Sequence, residues 1–232
     1  MQGFVYTFVD KYYFIVYYND MISLRNHVII IHKKEGISMR NRTRLISVII
    51  CVLIAVPMLS ISAFAYETNG NKIVNPITFI PNSQFGTTSR SHMREAVGKW
   101  NAAAGSTKMS VSTTTHSQTT GYPRRDDKCY VYRISTGSND YVAQCKSYRN
   151  LFGYLYEADI NINVYYAFAN SAQVGCYDLY SVFLHETGHA MGLADLYGSS
   201  DAAKVMYGYS STNVTKRNLA ADDKAGIASI YS

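Results

Sequence analysis

The chain is 232 residues long, 47% apolar and only 16% charged, which excludes a disordered or coiled-coil protein and leaves room for one ordinary domain with a leader. The formal charge of +6 divides unevenly: residues 1–65 carry 7 Lys+Arg against 3 Asp+Glu, and residues 66–232 carry 15 against 13. A surplus of two charges (15 − 13) past residue 65 is too small for a basic face that would grip nucleic acid.

In chain order, residues 1–38 fit no structural role. Met39 stands directly before the basic block Arg40-Asn41-Arg42-Thr43-Arg44, and Lys34-Glu35-Gly36 can be encoded by a purine-rich ribosome-binding sequence. Translation is therefore expected to start at Met39 in a bacterium, leaving 1–38 untranslated; a disordered extension is the alternative. Leu45 to Ile61 is an almost unbroken apolar run, followed by Ala63-Phe64-Ala65. Basic block, apolar run and A-x-A site together make residues 39–65 a secretory signal peptide, cut after Ala65. A membrane anchor is the rival, but a run of about 17 residues is at the lower limit for a bilayer and Pro57 interrupts it. The mature chain, residues 66–232, is thus expected outside the cell, with no stable membrane anchor. Once Cys51 is removed with the leader, Cys129, Cys145 and Cys176 are left. In an oxidising compartment that odd number suggests one bridge and one spare thiol.

The exported part reads as one α+β domain. Asn75–Ile80 alternates and is β-rich, giving a first strand. Ser89–Ala104 places Met93, Val97 and Trp100 on one helical face, with Ser89 or Ser91 as the N-cap and Gly105 as the stop. Met109–Thr115 is a second strand. Tyr130–Ile134 and Tyr141–Cys145 read as the arms of a hairpin across Gly137–Asp140, which would let Cys129 and Cys145 form the bridge. Ala158–Tyr165 alternates apolar and polar strictly, the mark of a strand with one buried face. Asp178–Met191 is helical, and Ala221–Tyr231 is a terminal helix with Asp222 and Asp223 near its positive end.

The chemistry lies in His185-Glu186-Thr187-Gly188-His189-Ala190-Met191-Gly192-Leu193-Ala194-Asp195. Histidines four apart sit one turn up the same helix face, so His185 and His189 can offer imidazole nitrogens to one metal ion. Glu186 projects about 100° round the helix from His185, which leaves it free to act as a general base. A catalytic zinc site needs a third protein ligand and an open position. No histidine follows His189 and no glutamate follows Glu186, so the later candidates are Asp195, Asp201, Asp222 and Asp223. Gly192 permits a left-handed turn after which the chain doubles back, and Asp195 is the choice that this turn favours. His92 and His116 are isolated and are expected not to be ligands.

The H-E-x-x-H-x-x-G-x-x-D pattern resembles the metzincin zinc signature in its snapalysin-type variant, whose third ligand is aspartate. Val205-Met206-Tyr207-Gly208-Tyr209 resembles the Met-turn of that clan, and Leu219–Tyr231 the terminal helix of matrixin-type peptidases. The likeness runs over about residues 73–231. It implies an α+β zincin: a twisted mixed sheet, an active-site helix, a C-terminal helix, and a small lower part from residue 193 on. It further implies one catalytic Zn2+ on His185, His189 and Asp195, with Glu186 as base, Met206 beneath the metal, and Tyr207 and Tyr209 as pocket wall or oxyanion donors. Asp159-Ile160-Asn161-Ile162 resembles the edge strand that pairs with a peptide or protein substrate. The chain departs from a matrixin in having Asp195 in place of histidine and Ala220 in place of Ser or Thr; no calcium constellation is indicated. The expected product is a monomeric, secreted zinc endopeptidase. The alternative is a zinc-stabilised extracellular binding module, which has no use for a base at Glu186.

Overall fold

In the computed structural model the described residues are 3–9, 12–18 and 28–31, for their backbone, and 66–232 apart from Asn139. The segment expected to be a signal peptide, residues 39–65, lies outside the described residues, and Cys51 with it. Met1–Ser62 and Ala63–Ser232 form separate units. The first holds a three-stranded antiparallel sheet, β1 (Gly3–Val9), β2 (Tyr12–Tyr18) and β3 (Val28–Ile31). These strands do not bear on where translation begins.

The second unit is built on a five-stranded mixed sheet: β4 (Ile77–Pro81), β5 (Met109–Val111), β6 (Cys129–Arg133), β7 (Ala143–Arg149) and β8 (Leu155–Ile162). The spatial order is β5-β4-β6-β8-β7; only the β7–β8 pair is antiparallel. A short parallel pair, β9 (Phe168–Ala169) and β10 (Tyr177–Asp178), leads into the second helix. Three helices pack around this frame: α1 (Thr87–Ala103), α2 (Leu179–Met191) and α3 (Ala221–Tyr231). This is the α+β zincin architecture that the sequence implies.

Helix α1 buries the expected face, Met93, Val97 and Trp100, at spacings of four and three. It starts two residues early, after Gly86. Ser89 does not cap it: the Ser89 side chain is inside the helix and meets Asn170 Oδ1 at 3.2 Å. Trp100 is fully buried and donates its Nε1–H to Leu184 O in α2 (2.9 Å), which ties the two helices together. A buried indole must place its one donor, and this bond fixes how α1 lies against the helix that carries the histidines.

Strand β8 departs from expectation. It lies between β6 and β7 and is buried on both faces; Glu157, Asp159, Asn161 and Asn163 are all 0% exposed. These polar side chains act as a ladder of backbone clips. Glu157 Oε2 accepts the N–H of Asp126 and Asp127, and Asp159 those of Arg124 (2.7 Å) and Tyr130 (2.9 Å). Asn161 accepts from Ile134 N (2.9 Å) and donates to Ile134 O (3.0 Å), while Asn163 accepts from Thr136 N (3.0 Å). The segment 124–136 therefore closes over the polar face, because each of these buried side chains finds its backbone partners there. Burial pushes the Asp159 carboxyl up to about 6, against the pull of its two backbone donors.

Two further expectations are corrected by this order. Asp159-Ile160-Asn161-Ile162 is not an edge strand: it lies in β8, inside the sheet, and β7 stands at the edge beside it. The Tyr130–Ile134 and Tyr141–Cys145 segments do not form a hairpin, since β8 lies between β6 and β7. Two interstrand steps put Cys129 and Cys145 at least about 9–10 Å apart across the sheet, beyond the 4.4–6.8 Å that a disulfide spans between Cα atoms. Cys129, Cys145 and Cys176 are all free thiols.

Candidate metal centre

The site is built on α2 and the two turns that follow it. Asp178 caps the helix by accepting Ser181 N–H (3.1 Å), and Arg217 Nε reaches the same carboxylate (2.9 Å). Burial alone would raise the Asp178 carboxyl, but the Arg217 guanidinium and the Ser181 donors outweigh it and hold the group below the usual carboxylate range. A depressed folded value means the pair contributes its full stability above about pH 4, the unfolded value, and loses it as pH falls through the lower folded value. Asp178→Asn is expected to cost about 2–3 kcal/mol at neutral pH, the low end for a broken buried pair because the Arg217 side chain is 30% exposed. In thermal melts the gap to wild type should narrow below pH 4; a gap constant from pH 3 to 7 contradicts this.

At its other end α2 stops at Gly192, whose φ of +108° is left-handed as expected. A Cβ there would sit 2.3 Å from Asn71 O, so only glycine lets the 66–73 segment pass so close. That segment clamps the turn: Asn69 Nδ2 donates to His189 O (2.8 Å) and Leu193 O (3.0 Å), and Asn71 Nδ2 donates to His189 O (3.1 Å). Ala194 N donates to Glu67 O (2.9 Å). Neither asparagine is signalled by local sequence, because each acts about 120 positions away.

Past the clamp the chain doubles back and places Asp195 beside the histidines. Asp195 Oδ1 lies 3.1 Å from His185 Nε2 and 3.5 Å from His189 Nε2. The three donor atoms lie within 4.8 Å of one another. A tetrahedral zinc with ligands at about 2.0–2.2 Å needs donors roughly 3.3–3.5 Å apart, so the set is close to the required size. Each imidazole is oriented by its far nitrogen: His185 Nδ1 bonds Val205 O (2.8 Å) and His189 Nδ1 bonds Leu193 O (3.0 Å). A ring whose Nδ1–H is donated to a carbonyl keeps its lone pair on Nε2, aimed at the common point. Asp195 Oδ1 is buried and, apart from the two imidazole nitrogens that converge on it, has no hydrogen-bond partner, a cost that a cation at that point would remove. Among the described residues this is the one group of three or more His, Cys, Asp or Glu side chains that could hold a metal ion.

Asp201, Asp222 and Asp223, the other sequence candidates, lie elsewhere. Asp201 and Asp222 pair with Lys204. Asp223 accepts the N–H of Ala220 (2.8 Å), Val205 (3.1 Å) and Met206 (3.3 Å), tying α3 to the turn beneath the metal centre. Met206 is buried there, and a Cβ on Gly188 would sit 2.3 Å from its Sδ and 2.9 Å from Trp100. The glycine between the two histidines thus lets the methionine seat directly under their helix turn. Tyr197, unforeseen in the sequence, donates its hydroxyl to Asp195 Oδ2 (3.3 Å).

Glu186 is 6% exposed and stands in the cleft wall next to the histidines, outside the donor triangle. It accepts the backbone N–H of Cys145 on β7; burial pushes its carboxyl above the usual range, and the two histidines oppose that. The cleft has a volume of about 580 Å3 and runs along β7 from Tyr141 to Arg149. Tyr207 and Tyr209 line a smaller cavity beside His185, and Tyr209 is 60% exposed. His116 is held by Val131 O and Gln118 N, and His92 is half-buried against Tyr180; neither reaches the metal centre.

Among solved structures the chain is similar to high choriolytic enzyme 1, a hatching-enzyme zinc protease of the medaka fish Oryzias latipes. The two are 14% identical, with 74% of this chain and 96% of that chain covered and a TM-score of 0.37. No individual curated protein sequence matches the chain. The sequence model of the Matrixin peptidase family, Peptidase_M10, matches residues 77–232. That span takes in the whole five-stranded sheet, all three helices and the donor triangle, and by it the chain belongs to the matrixin family and is a metalloendopeptidase.

Proposed function

We propose that the chain is a secreted zinc endopeptidase in which His185, His189 and Asp195 hold the metal and Glu186 moves the proton. The observation that carries this reading is the convergence of two Nε2 atoms and an otherwise unpartnered Asp195 Oδ1, with the Glu186 carboxylate beside them but not among them. A zinc ion so held supplies Lewis acidity, which polarises a carbonyl and makes water acidic near neutral pH. Glu186 then takes a proton from the attacking water at its carboxylate and returns it to the leaving amine. The Cys145 N–H holds that carboxylate in place along the free edge of β7. Among the described residues that edge has no partner strand, so an extended substrate adds to it by backbone hydrogen bonds, and its scissile carbonyl comes to rest over the donors.

Secretion is proposed from the leader at 39–65, and the fold is consistent with cleavage after Ala65. Glu67, Asn69 and Asn71, directly beyond that point, already take part in the clamp on α2. None of the described helices is long and apolar enough to cross a membrane.

The test is digestion of a denatured protein substrate by the purified chain. Cleavage is expected to disappear on chelation and to return with added Zn2+. Cleavage that persists in excess chelator rejects the proposal.

A further inference from the structure

A second, smaller cavity of about 30 Å3 opens beside the metal centre. It shares Val182, His185 and Ser210 with the main cleft and continues along Tyr207, Tyr209 and Lys216. Because His185 is one of the three donors, a side chain that enters this cavity belongs to a residue next to the bond lying over them.

Size and charge together say what that side chain is. The space holds about two water molecules, which matches the two oxygens of a carboxylate and falls far short of an aromatic ring. Lys216 stands in the wall with its Nζ 4.6 Å from the centre of the Tyr207 ring. Among the described residues no carboxylate lies within ion-pair distance of it. Asp178, also in the wall, is occupied by Arg217 and Ser181, and Asp223, whose charge reaches Lys216, is occupied by three backbone N–H groups. Burial pushes the ammonium below the ordinary lysine value, with Asp223 opposing. The cavity therefore offers a half-buried cation short of counter-charge at a slot of carboxylate size.

We propose that Lys216 is a specificity-determining residue: the cavity takes the short acidic side chain, aspartate, of the substrate residue next to the scissile bond, and Lys216 pairs with its carboxylate. This rests on the peptidase reading above. It makes the preferred substrate a peptide carrying aspartate beside the cut.

The experiment compares peptides that differ only in Asp against Asn, a nearly isosteric pair, at each of the two positions flanking the cleaved bond. At one of them the wild-type chain is expected to favour Asp in kcat/KM by about tenfold or more, the range of a charge-assisted hydrogen bond. Lys216→Met should bring that ratio to about one, and Lys216→Glu should take it below one. Methionine keeps an alkyl stem over Tyr207, and the backbone N–H of residue 216 still reaches Ser181 Oγ, as Lys216 does at 2.7 Å. Equilibrium binding of the same peptides to the Glu186→Gln chain, with and without Lys216→Met, reads the same preference without turnover. A wild-type ratio of one or less at both positions, or one unchanged in Lys216→Met, overturns the inference. Cleavage without that preference leaves the peptidase reading intact and rejects Lys216; preferential binding without cleavage does the reverse.

Discussion

Glu186→Gln is expected to lower kcat/KM on any cleaved peptide by about 10²–10⁴-fold, the contribution of a positioned general base, while zinc binding stays near the wild-type level. Glutamine is close to isosteric and can still accept the Cys145 N–H, so the fold and the cleft should persist. The physical reason for the separation is the donor geometry. Glu186 lies about 100° round α2 from His185 and outside the His185–His189–Asp195 triangle. Removing its charge takes away the proton acceptor and leaves all three metal donors in place. Wild-type activity in this variant excludes the mechanism, and loss of zinc together with activity shows that Glu186 is a ligand.

Asp195→Ala is expected to weaken zinc binding by at least about 100-fold, since loss of even an outer partner of a ligand costs 10–100-fold. Competition with a chelating dye reads this directly, and activity should fall with occupancy. Without metal the variant loses only the partly exposed contacts of Asp195 with His185, His189 and Tyr197, so apo stability should stay within about 1 kcal/mol of wild type. Zinc affinity that falls much further than apo stability identifies a ligand. Zinc affinity equal to wild type would refute the assignment.

Much of this site was legible locally. His185 and His189 share a face because the helix repeat puts residues four apart in line, and Gly192 marked where the helix must stop. The turn that follows is short enough that Asp195 had few places to go. The Met93/Val97/Trp100 stripe followed from the same periodicity, and the terminal helix has the bounds expected with Asp222 and Asp223 in its first turn. The Ser89 cap failed because a serine near a helix start is a weak signal, and Gly86 already supplied the extended residue that precedes the first turn.

The errors in the sheet share one cause, since each concerned which strands are neighbours. Strict alternation along β8 was read as one wet face and one dry face, yet the polar face is covered by 124–136. The composition carried a hint: its acidic and amide members are Glu157, Asp159 and Asn161, with Asn163 directly after it, all able to accept backbone N–H, with no lysine or threonine among them. The Cys129–Cys145 bridge failed for the same reason, because strands adjacent in sequence were taken to be adjacent in space, whereas β8 inserts between them.

The amino-acid sequence determined the chemistry of the centre, its ligand types and the helix that carries them, because a helix places its own side chains through local bonds. Only the tertiary structure decided that β7 is an open edge among the described strands, that Asn69 and Asn71 clamp the turn, and that Lys216 lines the same small cavity as His185. Those relations join residues tens to more than a hundred positions apart. They depend on which buried backbone groups must find partners once the sheet has closed, and no local pattern in the chain encodes that competition.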